Sequence, residues 1–333
     1  MPGLLRPRIK LAIKAVLTVV VLAFVGRHVL GTWRDLAGSG RSLRIEPAWV
    51  VVSGLLYVLG LAAYGVYFWR VLAAGPTPTA LLPAMRAYLI SHLGKYVPGK
   101  AMVVVMRAGM VASSGARPAA AAFATLYETL VMMAGGGLIA ALGFATGDGA
   151  TARVPVPFSG GAEVDAPLAW LALAPGLVFL VVVWPSVFPR LATLAKIPLP
   201  GVGPEALPRF STALLLEGLA WSSVGWVLLG LSQVAVIRSL MPDGLPAAAW
   251  PLAIASVALA TVAGFVVPIA PGGLGVREWV LWTALASAID RDLAVVAALV
   301  LRLSWVAAEV LAALVFLPLQ PRPSTTPPGP SPP

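Results

Sequence analysis

Pro268-Ile269-Ala270-Pro271-Gly272-Gly273-Leu274-Gly275-Val276-Arg277-Glu278 interrupts a run of sequence otherwise apolar enough to lie in lipid. Proline removes a backbone donor and blocks the preceding turn, and glycine permits backbone conformations closed to other residues. The first half of the chain carries a similar break, Gly94-Lys95-Tyr96-Val97-Pro98-Gly99-Lys100, followed by an apolar stretch that ends at Arg107. The spacing downstream of the two breaks matches. Arg117 lies 19 residues and Glu128 30 residues after Pro98, while Arg291 lies 20 and Arg302 31 residues after Pro271. One unit therefore occurs twice, each time placing helix breakers and isolated charges inside membrane-grade sequence.

Composition sets the class. Of 333 residues, 59% are hydrophobic and 11% charged, and the mean hydropathy is +0.92. That balance excludes a sizeable water-soluble domain and defines an all-α polytopic membrane protein. Lys and Arg number 23 against 13 Asp and Glu, a net charge of +10. In a membrane protein this excess reads as loop cations that set topology and touch anionic headgroups, not as a nucleic-acid surface. The chain has no cysteine and only His28 and His92 as histidines, so no metal site or other cofactor is expected. No Walker motif, dinucleotide fingerprint or nucleophile with an adjacent base is present, which argues against an enzyme.

A helix needs about 20 apolar residues to cross the hydrocarbon. Spans are expected at 11–30, 47–69, 119–146, 167–186, 211–237, 248–270 and 293–317. The stretches 79–112 and 272–288, beside the two breaks, either cross as tightly joined spans or re-enter the bilayer. The expectation is about eight spanning helices plus short broken or re-entrant ones, in one integral membrane domain over 1–317. Its repeat units would cover 79–146 and 248–317, followed by a disordered Pro-rich tail at 318–333. Counting spans places the two breaks in opposite orientations, the inverted arrangement of many secondary transporters. Arg6, Arg8 and Lys10 before the first span put the N-terminus in the cytoplasm. Acidic 147–166 and basic 187–210 agree with that frame; Arg34, Arg41 and Arg44 in 31–46 run against it.

The candidate binding residues are the charges at membrane depth and the backbone beside them. A charge at a helix centre costs about 2.5–3.5 kcal/mol on insertion scales, so several are tolerated only when they pair or line a polar groove. Lys100 and Arg107 share a helical face, as do Tyr88, His92 and Lys95. Arg302 and Glu309 share another, with Trp305 between them. Glu128 and Arg302 each have about nine apolar residues on both sides, too deep to snorkel, and a mutual Glu128–Arg302 pair is one plausible arrangement. Lys95, Lys100 and Glu217 lie where snorkelling to the interface is open to them. Arg277 and Glu278 follow the second break directly, next to Gly272 and Gly273. Pro98, Gly99, Pro268 and Pro271 are structural: they free backbone N–H groups at a helix start, a favourable place for an anion.

The segment Val267–Glu278 resembles the hallmark of the lysylphosphatidylglycerol synthase transmembrane region, the flippase-like part of the multiple peptide resistance factor. Gly94–Gly99 with Arg107, the Tyr127-Glu128 pair and Arg302 are similar to that family's pattern as well, and the likeness covers roughly 11–317. Full-length members carry an aminoacyltransferase domain. This chain ends at Pro333, so the resemblance implies a stand-alone translocating module without lipid aminoacylation. It implies a lipid flippase or translocase in the cell membrane, moving an anionic phospholipid or lipid-linked headgroup. Its phosphate would be held by Arg107, Arg277 and Lys100 and the helix starts after Pro98-Gly99 and Pro271-Gly272-Gly273, with Glu128, Glu278 or Glu309 orienting those cations or meeting a headgroup amine, and Arg302 supporting the site. The implied partners are membrane phospholipids, and a lipid-modifying enzyme as a further one. The alternatives are a secondary transporter of a small anionic solute and the membrane subunit of a lipid-modifying transferase. Without an ATP site, transport would run downhill, be coupled to an ion, or be driven by a partner.

Overall fold

The computed structural model describes residues 45–96, 102–146, 151–155, 163–194, 208–267 and 275–319. Helices dominate: α1 (Pro47–Ala73), α2 (Leu81–His92) continued by a 3-10 turn (Leu93–Tyr96), α3 (Met102–Ala112), α4 (Pro118–Thr146), α5 (Leu168–Val182), α6 (Phe188–Leu194), α7 (Thr212–Leu240), α8 (Trp250–Val266), α9 (Val276–Leu285) and α10 (Arg291–Phe316). Proline sits in the first turn of α1, α4 and α8, where its missing N–H costs nothing. Ser211 caps α7 by accepting from Leu214 N–H, and Asp290 caps α10 by accepting from Asp292 N–H.

Five of these helices are long and apolar enough to cross a membrane: α1, α4, α7, α8 with the turn before it, and α10. Their outer faces carry exposed aliphatics, including Val51, Leu55 and Leu59 on α1 and Leu303, Leu311 and Leu314 on α10. Such rows are costly in water and neutral in lipid. The chain is thus an all-α membrane protein.

The elements differ from expectation at two places. Of the sequence-expected spans, 11–30 lies outside the described residues. The span expected at 167–186 is the 15-residue α5, with Pro175 inside it, and the chain turns at Val183. Between α4 and α5 the polar connection pairs Thr151–Pro155 with Glu163–Pro167 as an antiparallel hairpin, β1–β2, which no period-two pattern announces.

Contacts between helix ends fix the directions. Glu46 N–H donates to Ser239 O and Arg209 N–H to Ala74 O, so α1 and α7 run antiparallel over their full length. Ser304 Oγ reaches Val50 O, and Tyr57 reaches Glu309, so α10 runs parallel to α1. The end of α4 meets the start of α8 at Gly143 and Pro251. The loop after α3 returns to the end where α2 began, because Arg117 N–H donates to Thr77 Oγ1 at 3.0 Å. Arg86 on α2 donates to the carbonyls of Phe316 and Leu317, closing the end of α10 at that same side.

Small residues permit the closest approaches. Gly135 and Gly136 of α4 face Ser222 and Trp226 of α7, and Trp226 Nε1 donates to Met132 O at 2.8 Å. A β-carbon on Gly137 would lie 2.5 Å from Gly176 Cα of α5, backbone against backbone. Gly137→Leu is therefore expected to lower stability by about 1–3 kcal/mol or more, because neither backbone can give way. Gly109→Ala, with nothing within 4 Å of the new carbon, should be neutral or stabilising by up to about 1 kcal/mol. Thermal unfolding of the detergent-solubilised variants separates the two.

Candidate functional site

Two polar clusters lie inside the helical bundle. The first is closed. Arg107 on α3 and Glu128 on α4 are 2% and 1% exposed and pair at 3.2 Å. Arg107 Nε donates to Ser91 Oγ at 3.0 Å, and its guanidinium lies over the rings of Tyr88 and Phe68, at 4.0 and 4.9 Å. Tyr88 donates to Glu128 Oε1 at 3.0 Å, and Thr129 reaches Oε2 at 3.4 Å. Both carboxylate oxygens and two edges of the guanidinium are thus met by protein.

The second cluster is larger and gathers side chains from α1, α2, the 3-10 turn, α9 and α10. Glu309 Oε1 accepts from Lys95 at 2.5 Å and from Tyr57. Lys95 also reaches His92 Nε2 at 3.0 Å and Tyr57 at 3.3 Å. An ammonium only donates, so His92 accepts there through an unprotonated Nε2. Tyr57 stacks on Trp305, with centroids 4.3 Å apart, and Trp305 Nε1 donates to Ser232 Oγ on α7. These contacts fix the floor of the cluster.

Its other wall is the start of α9. Gly275 has φ +84°, a left-handed conformation that glycine adopts without strain, and its N–H donates to Glu278 Oε2 at 2.7 Å. Glu278 Oε1 accepts from Arg302, 3.3 Å away. One carboxylate thus holds both the first turn of α9 and the cation of α10. Arg302 also lies over Tyr96 at 5.8 Å. Arg277 lies over Trp305 at 5.3 Å, and among the described residues it forms no ion pair within 4 Å. Arg277, Glu278, Arg302 and Trp305 line a small cleft with Val257, Ala260, Leu281, Ala298 and Leu301. Its volume is about 20 Å³, room for little more than a water molecule.

The expected Glu128–Arg302 pair does not form: Glu128 is taken by Arg107 and Arg302 by Glu278. Of the candidate residues, Arg277, Glu278, Arg302 and Glu309 come together in the second cluster, while Arg107 and Glu128 form the first. Lys100, Pro98, Gly99, Pro268, Pro271, Gly272 and Gly273 lie outside the described residues. Glu217 pairs with Arg70 at 2.6 Å on a half-exposed face, as a residue near a helix end would. Lys95, read from the sequence as a snorkelling residue, instead points inward to Glu309. Tyr57, His92, Tyr96 and Trp305 complete the cluster and were not singled out as binding residues. The shared face of Tyr88, His92 and Lys95 was the available signal for two of the elements; nothing in the sequence marks Tyr57.

The fold and these clusters define the class, a helical membrane protein with ionised side chains held in its interior. No family model matches the sequence, and no curated protein matches it.

The Arg107–Glu128 pair gives a direct test of enclosure. Removing one partner of a buried pair costs about 3–5 kcal/mol, because the other charge is stranded; replacing both by apolar groups is often neutral. Glu128→Leu should therefore lower the thermal midpoint markedly, and the Arg107→Met/Glu128→Leu double variant should recover most of the loss. Equal loss in the single and double variants would mean the pair is not enclosed as described.

Proposed function

We propose that this protein moves an anionic lipid headgroup between the leaflets of the cell membrane, with its acyl chains left in lipid. The observation that carries this reading is the charge balance of the second cluster. Among the described residues, Lys95, Arg277 and Arg302 have only Glu278 and Glu309 as ion-pair partners, and Arg277 is left with an aromatic ring. Arg277 lines the same cleft as Arg302, which lies near the middle of the 26-residue α10, so Arg277 sits at membrane depth with no paired carboxylate among the described residues. A guanidinium fork there suits the two free oxygens of a phosphodiester.

The helix directions support the inverted repeat that such a mechanism uses. The unit α2–α3 starts and ends at the side where α1 ends, and α8–α9 starts and ends at the side where α1 begins. A long helix follows each, α4 and α10. In this reading the units α2–α3 and α8–α9 approach the membrane interior from opposite faces, and the long helices alternate around them. With the N-terminus in the cytoplasm, β1–β2 lies outside and the loop after α3 inside. The resemblance of Val267–Glu278 to the lysylphosphatidylglycerol synthase transmembrane region points the same way. In this reading the cleft of about 20 Å³ belongs to a shut state, and α9 or α10 must shift before a headgroup enters.

The small cleft favours one competing reading, transport of a small soluble anion by the same cations. Liposomes distinguish the two. With a headgroup-labelled anionic phospholipid, wild-type protein should speed leaflet exchange, Arg277→Ala should lose about tenfold or more of that rate, and Arg277→Lys should restore little of it. Exchange no faster than in protein-free liposomes for several headgroups removes the lipid reading. Sulfate flux that falls in the same variants would put the soluble anion in its place.

A further inference from the structure

The proposed anion site shares a cation with an acid. Glu309 is 1% exposed. Its Oε1 is crowded by Lys95 and Tyr57, while its Oε2 is buried and has no hydrogen-bond partner among the described residues. An unmet carboxylate oxygen in a membrane interior is costly unless something occupies it. A proton would, and it would turn the carboxylate into a neutral carboxyl that no longer holds Lys95.

Lys95 has somewhere else to go. It belongs to the same cluster as Arg277, the cation with no carboxylate within 4 Å among the described residues. An anion seated on Arg277 would attract Lys95, and Glu309 would repel the anion. We propose that the anion and Glu309 compete for Lys95, so that each anion bound at Arg277 and Lys95 is accompanied by one proton taken from water onto Glu309 Oε2. The balance closes: one negative charge arrives, one carboxylate is neutralised, Lys95 remains an ammonium, and the net charge of the buried cluster is unchanged. This deepens the proposed function and rests on it, because it names the ion that travels with the headgroup.

The described groups that face Glu309 come from several elements. Tyr57 comes from α1 and His92 from α2, its Nε2 3.8 Å from Glu309. Lys95 and Tyr96 come from the 3-10 turn. From α9, Arg277 acts on Glu309 through its charge, while Glu278 is occupied by Arg302 and Gly275. From α7 the contact is Ser232 through Trp305; Glu217 of that helix pairs with Arg70 and Arg238 lies over Trp49. His92 is the rival proton acceptor, and it needs its own variant.

The experiment measures binding of dihexanoylphosphatidylglycerol, whose phosphodiester keeps one negative charge throughout, to the purified full chain between about pH 5 and pH 8. Sulfate serves as the headgroup-free probe. The expected result is an apparent Kd that rises with pH, approaching about tenfold per pH unit, with calorimetry in buffers of different ionisation enthalpy reading close to one proton taken up per anion. Glu309→Gln should bind at all pH values as tightly as wild type does at low pH, with no proton uptake; His92→Gln should keep the slope. A wild-type Kd that is flat with no proton uptake overturns the coupling while leaving the anion site standing. A slope that survives in Glu309→Gln and vanishes in His92→Gln overturns the assignment to Glu309. Binding of neither probe at any pH overturns both the coupling and the site beneath it. Should Glu309→Gln fail to fold, proton uptake by the wild-type chain decides alone.

Discussion

Hydrocarbon offers a polar group no partner, and that constraint shapes the interior of this protein. Each ionised side chain away from the helix ends has to be met by another part of the chain. The structure does this in a repeated way. The short helix after the first break is tied to the long helix that follows by Arg107–Glu128, and the short helix after the second break by Glu278–Arg302. The sign is reversed: the cation lies on the short helix in one half and on the long helix in the other. A third pair, Lys95–Glu309, joins the first half to the second. These three links fasten helices too short to span, which could not otherwise hold their place among α1, α4, α7 and α10.

Much of this was legible in the sequence, for definite reasons. Length and hydropathy mark α1, α4, α7, α8 and α10, because a spanning helix must be long and apolar, and no tertiary context relaxes either demand. The helix ends on either side of the two Pro-Gly segments, at Tyr96 and Met102 and at Val266 and Val276, were legible because proline and glycine act locally. Partner choice was not. Glu128 and Arg302 look equivalent by position and apolar flanks, yet each binds a residue on its own neighbouring short helix. The pairing depends on which way α3 and α9 run, and no hydropathy rule gives that direction. Lys95 was misread for a related reason. A lysine near a helix end usually escapes to the interface, but here its helix ends inside the bundle, with Glu309, Tyr57 and His92 around it. The β1–β2 hairpin was invisible because its strands are too short and polar to show an alternating core face.

The same logic separates two arginines that the sequence treats alike. Arg107 and Arg277 each follow a break and each approaches an aromatic ring. Arg107 also has Glu128, Ser91 and two rings, so its charge is neutralised and its edges are taken. An anion approaching it would have to displace a carboxylate from an enclosed pocket. Arg277 has Trp305 and the first turn of α9. Because Glu278 is spent on Arg302 and on Gly275 N–H, and Glu309 on Lys95, no described carboxylate is left over for it. The positive ends of the peptide dipoles at that turn add to its charge instead of offsetting it. An added negative charge would therefore be better stabilised at Arg277 than at Arg107. The difference is set by where the carboxylates lie, not by where the arginines do.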